Sequence, residues 1–216
     1  GDVDINGNVI LTAAVTIDTS DAGAGVVDGT FDISGTVDGA FDLDIITDSA
    51  IAGIVGVIGG TTALATLDIN KTAGATGAVT ISNNIGAGAA GVTGALEIGN
   101  ANTSTLTLAG TVYNANAATY TAVAGGDNIS LTAGADVTFT SSADAITFGT
   151  ARILLADGSD LVVNSAGGDI SVVAITGNTV EDVTLNAGAG NVTVGAIGAA
   201  DGQISDVVLT GTTINL

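Results

Sequence analysis

The sequence predicts an all-β chain wound as a right-handed parallel β-helix, a β-solenoid with three short strands per coil of about 22–24 residues. Three observations predict it. A four-residue phrase recurs at Asp136–Phe139, Asp160–Val163, Asp182–Leu185 and Asp206–Leu209, spaced 24, 22 and 24 along the chain. A second phrase follows each of these, at Ile146–Phe148, Ile170–Val172, Val192–Val194 and Ile214–Leu216, spaced 24, 22 and 22. The third is composition: 33 glycines, no proline and only 3% aromatic residues. A narrow core of stacked Val, Ile, Leu and Ala does without bulky rings, whereas an immunoglobulin-type sandwich wants a large buried aromatic. Glycines serve corners where φ > 0 is needed.

From the N-terminus, Val3–Ile5, Val9–Leu11 and Val15–Ile17 start at equal short intervals and read as short strands, with Asn6 and Gly7 as a turn. Phe31–Ile33, Phe41–Ile45 and Ile54–Ile58 continue the pattern less regularly. Residues 59–125 carry Leu67–Ile69, Val79–Ile81, Leu96–Ile98 and Leu106–Leu108 between corners rich in Gly, Ala and Asn. Longer corners or small excursions are expected there, and the regular coils lie in 128–216. A third column begins with Ile129–Leu131 and Ile153–Leu155. The whole of 1–216 reads as one continuous body of about nine coils, ~45 Å long at ~4.8 Å per coil. A period of 2 with frequent breaks leaves no room for helices. Right-handed winding follows from the crossover rule for parallel strands.

The period also sorts the side chains. The first and third residues of each triplet are apolar and face inward, and the middle Thr, Ser, Asp or Asn faces out. Val137, Leu161, Val183 and Val207 therefore form one inner column, and Phe139, Val163, Leu185 and Leu209 the next.

Charge limits the partners. Twenty-two acidic residues face one lysine, Lys71, and one arginine, Arg152, for a net charge of −20. Nucleic acid and anionic membrane surfaces both need basic side chains and are excluded as partners. No run of 18 apolar residues predicts membrane insertion and no leader opens the sequence. A mean hydropathy of +0.61 excludes a chain that stays unfolded. Without cysteine there is neither a disulfide framework nor a thiolate metal site.

The row Asp136, Asp160, Asp182 and Asp206 is the sharpest candidate site. Like charges stacked one coil apart repel by ~1 kcal/mol per neighbour in water, so something offsets them. Either each aspartate accepts backbone N–H bonds at a corner, or Ca²⁺ bridges carboxylates of neighbouring coils. The pairs Asp2/Asp4 and Asp42/Asp44 repeat that choice on a smaller scale. No other cofactor is required. Catalysis is not expected: there is no histidine, cysteine or basic cluster, and no lysine follows a glycine-rich loop as phosphate binding demands. Four glycosylation triplets begin at Asn70, Asn102, Asn128 and Asn191.

The segment Ile58–Asn70, and in the same style Gly1–Thr12, resembles the repeats of filamentous-haemagglutinin-like adhesins and autotransporter passenger domains of bacterial surface proteins. The resemblance covers most of the chain in style. It implies a right-handed β-helix on the cell surface, forming a stalk, fibre or adhesive shaft. The expected function is a structural element of an extracellular prokaryotic filament, its coils stacking end to end through open β-edges. Its partners would be further copies, head to tail, or the rest of a longer surface protein. The alternative is an adhesin that binds glycan or neighbouring cells along one face, which a run of exposed aromatics would favour.

Overall fold

The computed structural model describes residues 1–21, 27–87, 91–126, 128–178, 180–198 and 203–216. It is a β-solenoid: the described residues contain β-strands and no helix, and the strand pairs are all parallel.

Three columns of stacked residues run its length, one residue of each column per tier. The first passes through Val3, Phe31, Ala52, Val79, Leu106, Ile129, Ile153, Ile175 and Ile197. The second passes through Val9, Val37, Ile58, Ile85, Tyr113, Phe139, Val163, Leu185 and Leu209. The third passes through Val15, Leu43, Leu67, Leu96, Ala118, Ile146, Ile170, Val192 and Ile214. The described residues thus make nine tiers, joined by eight turns.

The two columns read from the sequence in 136–216 are present in register, Val137–Leu161–Val183–Val207 and Phe139–Val163–Leu185–Leu209. Two N-terminal boundaries differ. The strand after Phe41 runs Leu43–Ile46, and Phe41 itself is 40% exposed at the preceding corner. Ile54 ends a strand, Ala52–Ile54, while Ile58 makes only an isolated bridge to Val37 and Ile85. The glycine between them, Gly56, lies so close to Gly35 that a Cβ would fall 2.0 Å from the Gly35 carbonyl oxygen. That approach suits a corner rather than a continuous strand.

Steps along the first column are uneven at the N-terminal end, long from Val3 to Phe31 and short from Phe31 to Ala52. They become equal from Ile153 through Ile175 to Ile197. Pairing survives this variation because the extra residues sit in corners. In the C-terminal half the corner between the third column and the next tier closes up, and single strands run through it: Ile146–Leu155, Ile170–Thr176 and Val192–Ile197.

The inner face of each column is buried aliphatic. Leu43, Leu67, Leu96, Ile146, Ile170 and Val192, for example, all lie in one hydrophobic core. Five of the six aromatic residues are in it too, Phe31, Tyr113, Tyr120, Phe139 and Phe148. Four of these form one cluster in the middle of the rod. Tyr113 stacks on Phe139 at 4.7 Å and Tyr120 on Phe148 at 5.2 Å, and the two stacks meet edge to face. Such pairs add about 0.5–1.5 kcal/mol each beyond simple burial.

Candidate functional site

The aspartate row runs along the start of the second column. Each carboxylate is tied to the following tier: Asp136 Oδ1 accepts the Asp160 N–H at 3.3 Å, Asp160 Oδ1 the Asp182 N–H at 2.8 Å, and Asp182 Oδ1 the Asp206 N–H at 3.0 Å. The backbone bonding expected at the corners is therefore present, but its partner is the next coil rather than the local turn. A parallel ladder leaves amides unpaired where strands give way to corners, and a carboxylate from the coil beneath satisfies one of them.

The same device recurs along the rod. Asp2 accepts from the Thr30 N–H at 2.9 Å, and Asp38 from the Thr61 and Thr62 N–H groups at 2.8 and 3.0 Å. Asn84 takes the Thr111 N–H at 2.7 Å and Asp169 the Asn191 N–H at 2.7 Å. In each of these the acceptor belongs to one tier and the donor to the next, so the rungs share one polarity. Hydrogen bonds from Thr30 hold the Asp2 carboxyl below its ordinary range, and those from Ser49 and Asp21 do the same for Asp28. Two groups bond in the opposite sense: buried Asn70 Oδ1 accepts from the Thr47 N–H of the tier beneath at 2.8 Å, and fully buried Glu181 accepts from Gly158 at 3.0 Å.

Of the other acidic pairs, Asp42 joins the same lattice by accepting the Thr66 hydroxyl at 2.8 Å, while Asp4 and Asp44 stand in register with Asp32 and Asp68. Among the described residues no group of three or more acidic side chains converges as a metal site.

A cluster absent from the sequence reading lies on the outer side of the third column. Asp44, Asp68 and Glu97 stack in register, and Lys71 donates to Asp68 and, at 3.2 Å, to Glu97. Asp68 is only 9% exposed, and its Oδ1 has no hydrogen-bond partner. Burial pushes its carboxyl above the ordinary range, the charges of Glu97 and Asp44 add to that, and Lys71 opposes it. The sequence could not show this row. The step from Asp44 to Asp68 is shorter than that from Asp68 to Glu97, and the register depends on how much of each is corner.

Of the glycosylation triplets, the one at Asn70 is closed in the fold: Asn70 is completely buried and bonded through its amide to Thr47. Asn102 is exposed, whereas Asn128 and Asn191 are half-buried with their amides donating to Val123 and Asp169. At the corner after the second column, Val92, Asn114, Asn116, Thr140 and Ser142 line an open cleft of about 470 Å³. No aromatic side chain faces it. No protein-family model, curated protein or solved structure matches the chain.

Proposed function

We propose that the chain is a rigid shaft element of an extracellular structure on a prokaryotic cell. The observation that carries this reading is the stacking: three columns of paired residues run through nine tiers, and corner carboxylates and amides bond many tiers to the next. A rod built this way resists bending because any bend must stretch hydrogen bonds on one side. Its acidic coat keeps it soluble and separate from its neighbours. Of its two basic residues, Lys71 is held by Asp68 and Glu97, so trypsin-like proteases find little to cut. The open strand edges at either end take a further coil, from another copy or from the rest of a longer surface protein.

The adhesin reading draws on the cleft lined by Asn114, Asn116, Thr140 and Ser142, whose amides and hydroxyls suit a neutral glycan. It lacks the stacking platform such recognition uses, since five of the six aromatics are buried in the core. The shaft is therefore the preferred function.

An antibody raised against the native chain tests the location and role together. Intact producing cells should bind it along projecting structures, and brief treatment with a non-specific protease should remove the label. Labelling that requires permeabilised cells would refute the proposal.

A further inference from the structure

We propose that Lys71 and Asp68 condense in the folded chain to an amide, Lys71 Nζ bonded to Asp68 Cγ with the loss of one water, and that Glu97 carries the proton. The cross-link belongs to one corner of the rod. It goes beyond the shaft reading, and its failure would leave that reading untouched.

Three observations point to it. The first is position. Lys71 Nζ donates to Asp68 Oδ2 and lies 3.2 Å from Glu97 Oε2, so an amine, a buried carboxyl and a second carboxylate meet at one point. The second is rigidity. Asn70 has a left-handed backbone, φ 49°, which turns the chain so that Lys71 folds back onto Asp68. Buried Asn100 donates to the carbonyls on either side of Lys71, Asn70 at 2.6 Å and Thr72 at 2.9 Å, and buried Asn70 is bonded to Thr47. The freedom that would separate amine from carboxyl is therefore already lost in folding. The third is an orphaned oxygen. Asp68 is 9% exposed and its Oδ1 has no hydrogen-bond partner. A carboxylate left in that state is costly, whereas an amide carbonyl in its place carries no charge.

The step balances within the triad. Lys71 passes one proton to Asp68 along their hydrogen bond, giving an amine and a carboxylic acid. The Nζ lone pair then forms the bond to Cγ. Glu97 takes the second proton from that nitrogen and returns it to Oδ2, which leaves as water when the Cγ–Oδ2 bond breaks. The third hydrogen stays as the amide N–H. One positive and one negative charge disappear together, so the net charge of −20 is unchanged. Burial pushes the Asp68 carboxyl up, toward the acid form that the attack needs. The bonds to Asp68 and Glu97 also hold the Lys71 ammonium above its ordinary range, so the neutral pair is a minor form and condensation is slow.

The 216-residue chain, kept folded at neutral pH, is sampled over time for intact mass, then denatured and digested with trypsin, which has only Lys71 and Arg152 to cut. The expected result is a mass falling to one water below that of the sequence, with cleavage after Arg152 and none after Lys71. Chain held in urea should keep its full mass and be cut at both. Fragmentation should place the missing water between Asp68 and Lys71. Ring closure at an Asp-Gly step such as Asp157–Gly158 loses the same mass but leaves Lys71 open to trypsin. Glu97→Gln takes up no proton and should condense about a hundredfold more slowly, with an unchanged circular dichroism spectrum. Lys71→Arg, whose guanidinium stays protonated, should keep its full mass. A parent chain that stays at full mass and is cut after Lys71 however long it is kept folded would overturn the proposal. So would a missing water located elsewhere, or a Glu97→Gln variant that condenses at the parent's rate.

Discussion

At the scale of single residues, a recurring role of acidic side chains in this fold is to accept hydrogen bonds between coils. Asp160 shows it best, since it donates its own N–H to Asp136 and accepts that of Asp182. Asp160→Ala leaves the Asp182 amide unpaired and should cost about 1–2 kcal/mol in urea unfolding, whereas Asp160→Asn should cost a few tenths, roughly the difference between a charged and a neutral acceptor. Equal losses for the two variants would mean that charge, not the acceptor, matters there. The Asp68 cluster has the opposite electrostatics. Its carboxyl is raised above the ordinary aspartate range, so ionised Asp68 costs stability at neutral pH, and that cost fades as pH falls through the raised value. Lys71→Gln removes the one cation that offsets it. The variant should be less stable at pH 7 by about 1–2 kcal/mol, discounted for the half-open lysine, and should recover toward the parent as Asp68 takes up a proton in mild acid. A pH-independent deficit would show that Lys71 matters through packing alone. The aspartate row was legible in the sequence because its residues repeat at nearly constant spacing. The Asp44–Asp68–Glu97 row was not, because its two steps differ in length and look unrelated until the corners are seen.

At the scale of elements, the strand triplets were legible wherever both inward residues were bulky and aliphatic, as in Leu67–Ile69 and Val79–Ile81. They were obscured where a glycine carried the chain past a neighbouring backbone, as at Gly56. Coils in the C-terminal half are close to interchangeable. Duplicating residues 170–191, one full step from Ile170 to Val192, should insert a tier without disturbing its neighbours. Each tier touches only the next, so the lengthened chain should unfold cooperatively with a larger dependence on denaturant. Loss of the sharp transition would show that the tiers are not equivalent. The aromatic cluster is where they are least so. Phe139 stacks on Tyr113 of the tier beneath and touches Tyr120 and Phe148 edge-on, so its removal empties the junction of two tiers at once. Phe139→Ala is expected to cost about 3–5 kcal/mol. Hydrogen exchange should accelerate at Tyr113 and Val163 together, the residues on either side of it in the column. Faster exchange on one side only would place a boundary between folding units at the cluster.

At the scale of the whole molecule, a charge of −20 is spread over a rod whose tiers are held one upon another by short-range contacts. The repulsion acts over a Debye length of about 10 Å at 0.1 M salt, which spans two tiers at ~4.8 Å each. Monovalent salt should therefore raise the thermal midpoint as it shortens that range. Calcium poses a sharper question. If it bridged Asp136, Asp160, Asp182 and Asp206, millimolar calcium would raise the midpoint well beyond an equal ionic strength of sodium, and a chelator would reverse the rise. Each of the first three already accepts the amide of the next coil at Oδ1, which offsets the repulsion within the row without an ion. The expected outcome is thus the same midpoint in calcium as in sodium at matched ionic strength. Acid separates the two accounts again. Asp2 and Asp28 are held below the ordinary aspartate range by their hydrogen bonds, so what they contribute is present at neutral pH and is lost as pH falls through those lowered values. Rungs predict a midpoint that falls in strong acid whether or not calcium is present. A fall in acid that occurs only in calcium would assign the row to the metal.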